Sequence, residues 1–396
     1  MDKPWLSIIG LGEDGPAGLS DASRAALTAA DLVFGGPRHL ALAQVGAKGR
    51  AWPVPFSVAP VLACRGQSVA VLASGDPFWH GAGGSLVDHL RPGEWVSYPA
   101  PSCFALAANR LGWRLEAVCC LGLHAAPFVR LLPHLSRGQR LICTLRDGAA
   151  VAELALWLTE QGADAHLYVM ERLGGPAERI RTTSASGFDA SDVQAPVAMG
   201  IEVVNSVGLL TTPGLPDTAF QSDGQITKQP IRALTLCALA PRKGALLWDI
   251  GAGSGSISVE WCLQGGHALA LEARADRVTN IGANISRFAL EDRMQVYQAD
   301  VTRGTLPAAL TDTHPDAVFL GGGADGALLT ALFATLPPGV RLVLNAVTLE
   351  TESLALDWQA RKGGSLMKID IAHAAPLGRM RGWSPARPVV QWSVLT

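Results

Sequence analysis

Residues 246–260 read LLWDIGAGSGSISVE, and three alternate glycines separate an apolar run from a run with helical character. The apolar part predicts a buried strand, and SISVE predicts the start of a helix. Glycines at positions 251, 253 and 255 let the backbone turn sharply and approach a ligand without a clash from a Cβ atom. The amides that open the following helix can receive a polar or anionic group. The stretch therefore predicts a ligand-binding turn between a strand and a helix.

The spacing of these glycines distinguishes between two nucleotide ligands. A dinucleotide-binding turn carries G-x-G-x-x-G, whereas the residue after Gly255 is Ser256. An acid that accepts ribose hydroxyls is expected about 20 residues further on, and Glu272 ends the next predicted strand. Asp300 closes the third strand, where a side chain can reach an adenine edge. These positions favour S-adenosylmethionine over NAD, and a purely structural turn stays an alternative.

A second glycine-rich turn lies near the start of the chain. SIIGLGEDGPAGLS at residues 7–20 and ASGDPFWHG at residues 73–81 each follow an apolar run. Gly75, Asp76 and Pro77 place a glycine, an acid and a fixed φ at the carboxyl end of a strand, where open α/β sheets bind ligands. These two stretches predict a second site, with a tight structural loop as the alternative for the first of them.

The chain length and the order of the patterns predict the domain organisation. A chain of 396 residues is expected to form two domains. Strand and helix patterns alternate in both halves, which predicts α/β layers with a largely parallel sheet in the first half and a doubly wound sheet in the second. A passage rich in Gly, Pro, Ser and Thr at about 200–216 predicts a linker. We therefore expect domains over residues 1–206 and 207–396.

Charge and cysteine content limit the partners and the compartment. The formal net charge is −2, with 16 basic and 18 acidic residues up to position 206 and 16 of each beyond it. A nucleic-acid-binding protein usually has a basic domain, so no nucleic-acid partner is expected. No apolar run reaches the roughly 18 residues of a membrane helix, and the seven cysteines include no C-x-x-C pair. We expect a cytoplasmic protein without membrane contact or a metal centre.

The second half resembles a known family from Gly214 onward. The motifs GLPDTAFQSDGQITKQPIRAL, WDIGAGSGSISVE, DAVFLGGG and VRLVLNAVTLET are similar to those of the decarboxylating precorrin methyltransferases, a class I methyltransferase family of cobalamin biosynthesis. The resemblance implies a Rossmann-like fold and an S-adenosylmethionine site. The residues matched to that site are Thr227, Gly251, Ala252, Gly253, Ser254, Gly255, Glu272, Asp300 and Val301.

The first half resembles the tetrapyrrole methylase family over about residues 5–203. The opening glycine turn and the G-D-P-x-x-x-G loop carry the resemblance, and FGGPRHL, PSCFALAANRLGW and VMERLGGPAERI fit the branch that methylates precorrins at carbon 5. The resemblance implies a two-part class III methyltransferase fold with its own S-adenosylmethionine site. The matched residues are Gly12, Gly75, Asp76, Trp79 through its backbone, Ser102 and Cys103. Glu13 and His80 depart from the family pattern, which often has proline and an aromatic residue at these positions.

The two resemblances together imply a fused methyltransferase of cobalamin biosynthesis. Such an enzyme methylates precorrin-6B at carbons 5 and 15 and removes the carboxylate of the carbon 12 acetate, which gives precorrin-8X. The substrate carries acetate and propionate groups, for which guanidinium groups are natural partners. Candidate substrate contacts are Lys228, Arg232, Asn345, Arg379 and Arg381, with surface charge or a strand-end cap as their alternative roles. The resemblance also implies a homo-oligomer, a dimer or a tetramer, and no residue is identified as catalytic.

Two other functions remain open from the sequence. The chain could methylate RNA or protein, with a first half that serves only as a binding or oligomerisation module. The departures at Glu13 and His80 motivate that hypothesis. An NAD-dependent oxidoreductase is the third hypothesis, and Ser256 disfavours it.

Overall fold

The chain is described from a computed structural model that covers residues 4–210, 212–301 and 304–396. It divides into two compact units, Met1–Gly208 and Leu209–Thr396, which we call the first unit and the second unit. Both are α/β, as the sequence predicts. The assignment of one methylation to each domain stays a prediction.

The first unit begins with a parallel five-stranded sheet in the order β3-β2-β4-β1-β5. Because all five strands run the same way, the turns that follow them lie at one edge of the sheet. The central strands are almost fully buried, as expected for a sheet covered on both faces. The strands are β1 (Leu6–Leu11), β2 (Leu32–Gly35), β3 (Gly49–Ala51), β4 (Val69–Ser74) and β5 (Trp95–Tyr98), and the helices are α1 (Asp21–Ala29), α2 (Pro37–Leu42), α3 (Ala59–Leu62) and α4 (Ala82–Val87).

The second sheet of the first unit is mixed, with the order β6-β7-β10-β8-β9. Only β6 and β7 pair in parallel, so the largely parallel sheet predicted for this half is right for the first sheet and wrong for the second. The short connection between β8 and β9 favours antiparallel pairing of these two strands, and β10 runs antiparallel to both β7 and β8. The elements are α5 (Cys103–Leu111), β6 (Cys119–Gly122), β7 (Arg140–Thr144), α6 (Ala149–Glu160), β8 (Ala165–Glu171), β9 (Arg179–Ser184) and β10 (Val197–Val203).

The second unit has a doubly wound seven-stranded sheet in the order β13-β12-β11-β14-β15-β19-β16. The chain winds to one side of β11 through β12 and β13 and to the other through β14 and β15, which confirms the predicted Rossmann-like fold. The strands are β11 (Leu246–Ile250), β12 (His267–Glu272), β13 (Met294–Gln298), β14 (Ala317–Leu320), β15 (Arg341–Ala346), β16 (Ser365–Ile369), β17 (Ala372–Leu377), β18 (Met380–Pro385) and β19 (Val389–Leu395). The helices are α7 (Gln229–Leu239), α8 (Ser256–Leu263), α9 (Ala275–Arg287), α10 (Ala308–Thr311), α11 (Gly326–Thr335) and α12 (Leu349–Lys362).

A two-stranded hairpin, β17 with β18, projects from the second unit as a separate sheet. Residues 376–383, PLGRMRGW, form its turn and the adjoining parts of both strands. Glycine at 378 has a φ of +60° and permits the tight turn that lets the flanking residues pair. The hairpin is exposed along most of its length, including Trp383. Among the described residues, no helix is long and apolar enough to cross a membrane.

Candidate active sites

The glycine turn of the second unit follows β11 in the conformation that its sequence predicts. Gly251, Gly253 and Gly255 have φ values of +71°, +61° and +71°, which favour glycine. A Cβ atom at Gly251 would lie 2.4 Å from the carbonyl oxygen of Gly322, in the turn after β14. The turn therefore needs glycine both for its backbone conformation and for the close approach of the neighbouring loop.

Glu272 is placed beside this turn as an acceptor at the end of β12. Its side chain is buried, and its two carboxylate oxygens accept the backbone amides of Gly253 at 2.8 Å and Arg274 at 3.0 Å. Each carboxylate oxygen can accept a further hydrogen bond. A fixed acceptor next to a tight glycine turn suits the hydroxyl groups of a ribose, so these residues fit S-adenosylmethionine.

Asp249, the last-but-one residue of β11, is a buried carboxylic acid below the same turn. Its Oδ2 accepts a hydrogen bond of 2.6 Å from the Ser258 hydroxyl, and its Oδ1 has no hydrogen-bond partner among the described residues. Burial raises the pKa of Asp249 to about 6, although the hydrogen bond from Ser258 opposes the shift. The acid therefore carries its proton more readily than an ordinary aspartate.

Residues 214–228, which we call the strap, run from the start of the second unit to the beginning of α7. The buried Glu260 of α8 accepts the backbone amides of Gly214 at 2.5 Å and Leu215 at 3.0 Å. Arg232 of α7 donates from Nε to Glu260 at 2.5 Å and from its Nη atoms to the carbonyls of Leu215 and Thr227. One buried ion pair thus holds both ends of the strap.

The middle of the strap is tied to the glycine turn through Asn284 of α9. The fully buried amide of Asn284 accepts from the Gln221 nitrogen at 2.8 Å and donates to the Gln221 carbonyl at 2.9 Å. The same amide nitrogen lies 2.9 Å from the carbonyl oxygen of Ser254. A Cβ at Gly253 would be 3.9 Å from the Gln225 carbonyl oxygen, so the strap packs against the turn.

The remaining residues predicted to contact the cofactor in the second unit are distributed around this turn. Thr227 is half-buried in the strap, and its carbonyl is held by Arg232. Asp300 is exposed just after β13, while Val301 is buried in the core on one face of the sheet. The strap, the turn and the ends of two strands therefore carry all nine predicted residues.

The structure corrects the predicted substrate role of Arg232. The Arg232 side chain is fully buried, and its guanidinium is engaged by Glu260, Asp217 and two backbone carbonyls. A guanidinium held on all sides in this way does not face a substrate carboxylate. Lys228 is exposed and lies 3.6 Å from Asp217, so it alone of this predicted pair faces solvent.

Asn345 also has a different role from the predicted one. It lies in β15, is 7% exposed, and its amide forms a buried network with Thr235 at 2.8 Å and Gln391 at 2.9 Å. These contacts join α7, β15 and β19, so the amide serves the packing of the sheet. Arg379 and Arg381 lie in the exposed hairpin of β17 and β18, and their role as substrate contacts stays a prediction.

The first unit contains a cavity of about 560 Å³ at the carboxyl edge of its parallel sheet, with further walls from β7 and β10. A volume of this size is typical of small-molecule sites. Five of the residues predicted to contact the cofactor line the cavity: Gly12, Gly75, Trp79, Ser102 and Cys103. Asp76 is not among the lining residues, and its Oδ1 instead accepts the Phe78 amide at 2.8 Å, which fixes the G-D-P turn.

Two loops meet closely at the floor of this cavity. Gly75 has a φ of +56°, and a Cβ atom there would lie 2.7 Å from the Cα of Ser102. Ser102 caps α5 by accepting the Ala105 amide at 3.1 Å. Burial raises the pKa of Cys103 to about 11, which leaves a neutral thiol in the lining. A tight glycine, a helix cap and a neutral thiol fit the methionyl and adenosine parts of S-adenosylmethionine, which need close backbone approach.

A polar cluster at the same edge was not predicted as part of the site. Arg38 forms an ion pair with Glu13 and donates from Nη2 to the Ser74 hydroxyl at 3.1 Å, and His39 Nε2 lies 2.8 Å from that hydroxyl. Burial, followed by the positive charge of Arg38, lowers the pKa of His39 to about 4. Arg38 and His39 belong to the motif FGGPRHL, which continues from the end of β2. The rule that ligands bind at the carboxyl ends of strands indicates this loop, but the sequence does not show that it lies beside Ser74.

Comparison with known proteins relates both units to methyltransferases. Residues 6–189 match the family model for tetrapyrrole (corrin/porphyrin) methylases, and residues 218–396 match that for a precorrin methyltransferase domain. The chain is 44% identical over 403 residues to precorrin-6Y C(5,15)-methyltransferase [decarboxylating] from Sinorhizobium sp, covering 99% of this chain and 96% of that protein. It is 40% identical to the protein of the same name from Mycobacterium tuberculosis strain H37Rv, covering 98% of this chain and 99% of the relative.

One solved structure is similar to about half of this chain. The crystal structure of the C-terminal domain of precorrin-6Y C5,15-methyltransferase from Rhodobacter capsulatus is 57% identical, covers 48% of this chain and all of that chain, and has a TM-score of 0.45.

Proposed function

Because the chain belongs to the family of decarboxylating precorrin-6Y C(5,15)-methyltransferases, we propose that it methylates a precorrin macrocycle at carbons 5 and 15 and removes the carboxylate of the carbon 12 acetate. The sequence resemblance gives the substrate as precorrin-6B and the product as precorrin-8X, and the relatives' names give the substrate as precorrin-6Y. The observation that carries the proposal is that each unit has its own glycine site at the carboxyl ends of neighbouring parallel strands. The relationship over the whole chain favours this activity over methylation of RNA or protein.

We assign one S-adenosylmethionine site to each unit. The cofactor supplies an electrophilic methyl group on a sulfonium. In the second unit, the glycine turn would accommodate it closely, Glu272 would accept hydrogen bonds from its ribose, and Thr227 would contact it from the strap. In the first unit, Gly12, Gly75, Trp79, Ser102 and Cys103 would line its cavity. Carbon 5 methylation belongs to the first unit on this proposal, and carbon 15 methylation with decarboxylation to the second.

The contribution of the protein to both reactions is mainly one of positioning. An electron-rich carbon of a conjugated pyrrole system is already a nucleophile, so holding it in line with a methyl group supplies much of the rate. Decarboxylation needs an electron sink, which the conjugated macrocycle provides. In the second unit, the strap would contribute to this positioning. It is held against the glycine turn by Glu260, Arg232 and Asn284.

The cellular setting of the proposal rests on resemblance and on composition. We propose that the enzyme acts in the cytoplasm as a homo-oligomer, a dimer or a tetramer, on a small tetrapyrrole substrate. The near-neutral charge of both halves supports a small-molecule substrate over a nucleic acid.

The full chain provides the test, with separate variants for the two sites. With precorrin-6B and S-adenosylmethionine, mass spectrometry is expected to detect a product that has gained two methyl groups and lost one carbon dioxide. Glu272→Ala should abolish carbon 15 methylation and decarboxylation but leave carbon 5 methylation. Gly75→Ala should have the opposite effect. An unmodified macrocycle with the wild-type chain, together with methyl transfer to RNA or protein, would overturn the proposal.

A further inference from the structure

Arg38 lies on the wall of the first-unit cavity, in the first turn of α2, directly after β2. Its side chain is 39% exposed, so the guanidinium is accessible from the cavity. It is the one lysine or arginine among the described residues that line this cavity. The positive charge available to a ligand in this cavity therefore comes mainly from a single side chain.

The contacts of Arg38 orient its guanidinium without using all of its donors. Glu13 pairs with Nη1, the Ser74 hydroxyl accepts from Nη2 at 3.1 Å, and Nε2 of His39 lies 3.0 Å from the same Nη2. A guanidinium has five N–H groups in a planar fork, so donors remain for a second carboxylate. Glu13 after β1, Ser74 at the end of β4 and the adjacent His39 thus hold the group in place at the cavity wall.

Two aromatic side chains accompany this charge on the cavity lining. Trp52 and Phe56 both line the cavity, and their rings are 5.1 Å apart in an edge-to-face arrangement. Phe56 is 51% exposed, so its ring is accessible to a ligand. Flat apolar rings beside one oriented guanidinium are suited to a flat macrocycle that carries carboxylate side chains.

We propose that Arg38 binds a side-chain carboxylate of the macrocycle in the first unit and that Glu13 competes with this carboxylate for the guanidinium. The inference rests on the proposed function, because it takes the macrocycle as the substrate. A carboxylate is costly to place against an apolar lining unless a cation pairs with it. Glu13 occupies that cation in the free cavity, which weakens substrate binding and favours product release.

S-adenosylmethionine also carries a carboxylate, so it is the other candidate ligand for Arg38. Its sulfonium and ammonium groups are positive, so Arg38 would repel them over the few ångströms that separate the parts of that molecule. The macrocycle has many carboxylates and no such opposing charge. Arg38 is therefore assigned to the macrocycle.

The test uses the full chain and steady-state kinetics of carbon 5 methylation, with the carbon 15 product as an internal reference. Arg38→Ala is expected to raise KM for precorrin-6B about 10- to 100-fold, which corresponds to one lost charge-assisted interaction, and to leave KM for S-adenosylmethionine unchanged. Arg38→Lys should recover part of the loss, because the charge stays but the fork is lost. Glu13→Gln should lower KM for precorrin-6B severalfold, most clearly at low ionic strength.

Each other outcome has a distinct meaning. Unchanged KM for precorrin-6B in both Arg38 variants would overturn the inference, and so would a raised KM for S-adenosylmethionine alone, which would assign Arg38 to the cofactor. A raised KM in Glu13→Gln would overturn the competition. A fold defect is recognised by loss of S-adenosylmethionine binding at the first site, and Arg38→Lys then carries the test. If the wild-type chain does not methylate carbon 5, the proposed function fails, whereas a normal wild type with indifferent variants refutes only this inference.

Discussion

The glycine turns of the two candidate cofactor sites are surrounded by different structural elements. In the second unit, one turn after β11 is enclosed by the strap, which a buried ion pair and a buried amide hold in place. In the first unit, loops after several strands and a second sheet surround a cavity of about 560 Å³. A site made mostly from one local turn depends on its anchors, whereas a site made from many loops depends on how closely those loops meet.

This difference predicts where each site is vulnerable. The second site should lose most when a buried charge or acid behind the turn is changed. The first site should lose most where two loops touch without room for a side chain. Five substitutions probe the contrast, from the largest expected effect to the smallest.

Removing the charge that anchors the strap should have the largest effect. Arg232→Ala leaves the buried Glu260 without its cation, and breaking a buried pair in this way costs about 3–5 kcal/mol. We expect that decrease in the free energy of unfolding of the second unit, measured by urea denaturation of the full chain, and a matching loss of carbon 15 methylation. Arg146→Ala, which breaks two exposed ion pairs in the first unit, is the control and should have little effect on stability. Equal costs for the two variants would refute the anchoring role.

The buried acid behind the turn should make stability depend on pH. The pKa of Asp249 is about 6 in the folded chain, above its ordinary value of 3.8, so the folded state binds the extra proton between these values. The free energy of unfolding of the second unit should therefore fall by about 3 kcal/mol as pH rises from about 4 to 6 and stay level above that range. Asp249→Asn should remove this dependence, and a constant difference between wild type and variant across pH would contradict the prediction.

The first unit should depend on pH in the opposite direction. The pKa of His39 is lowered to about 4 from 6.5, so the unfolded state binds more protons in this range. The stability of the first unit should consequently fall as pH decreases from about 6.5 to 4. Because His39 is partly exposed, its effect should be smaller than that of Asp249. The free energy of unfolding of the first unit, measured for wild type and His39→Gln over this pH range, checks the direction of the dependence.

The meeting point of two loops is the corresponding weak position of the first site. Gly75→Ala places a Cβ 2.7 Å from the Cα of Ser102 at a positive φ, whereas Gly46→Ala has a similar φ of +57° and open space around it. Both should lose about 1–2 kcal/mol of stability from the backbone conformation, but only Gly75→Ala should displace the loop. We expect carbon 5 methylation to fall at least about 10-fold, or about 1.4 kcal/mol in the barrier, in Gly75→Ala alone. Equal activities of the two variants would argue against the close contact.

The smallest effect should come from a single helix cap. Ser102→Ala removes the acceptor of the Ala105 amide and should cost about 1 kcal/mol. Ser20→Ala removes the equivalent cap of α1 and should cost a similar amount. Only the Ser102 variant should raise KM for S-adenosylmethionine at the first site, since Ser20 does not line the cavity. Equal KM values for S-adenosylmethionine in the two variants would show that Ser102 does not contact the cofactor.

The second site was the easier of the two to predict because its main parts are close in sequence. The strand, the three glycines and Glu272 lie within 27 residues of Leu246, and their spacing follows directly from a strand–turn–helix–strand unit. The anchors were missed because they depend on tertiary packing. Nothing in the periodicity of α8 indicates that Glu260 would accept the amides of the strap, nor that Arg232 would be turned inward to it.

The first site was harder to predict because its polar cluster joins residues that are distant in sequence. Its glycines were predicted, but Arg38, His39 and Ser74 meet only because β2 and β4 are neighbours in the sheet. Strand order is not written in a single sequence, so the cluster could not be assembled before the fold was known. The antiparallel pairs of the second sheet were missed for a related reason, since strand and helix alternation does not specify the direction in which distant strands pair.

The order of strands in the sheets also affects how the chain can fold while it is being synthesised. In the first sheet, the last strand to leave the ribosome is β5, an edge strand, so the other four can pair before it is made. In the other two large sheets, the last strand to be made is an interior one: β10 lies between β7 and β8, and β19 lies between β15 and β16. Neither sheet is complete until that strand has emerged. The edge of β15 that pairs with β19 stays open during the synthesis of α12, β16 and the hairpin.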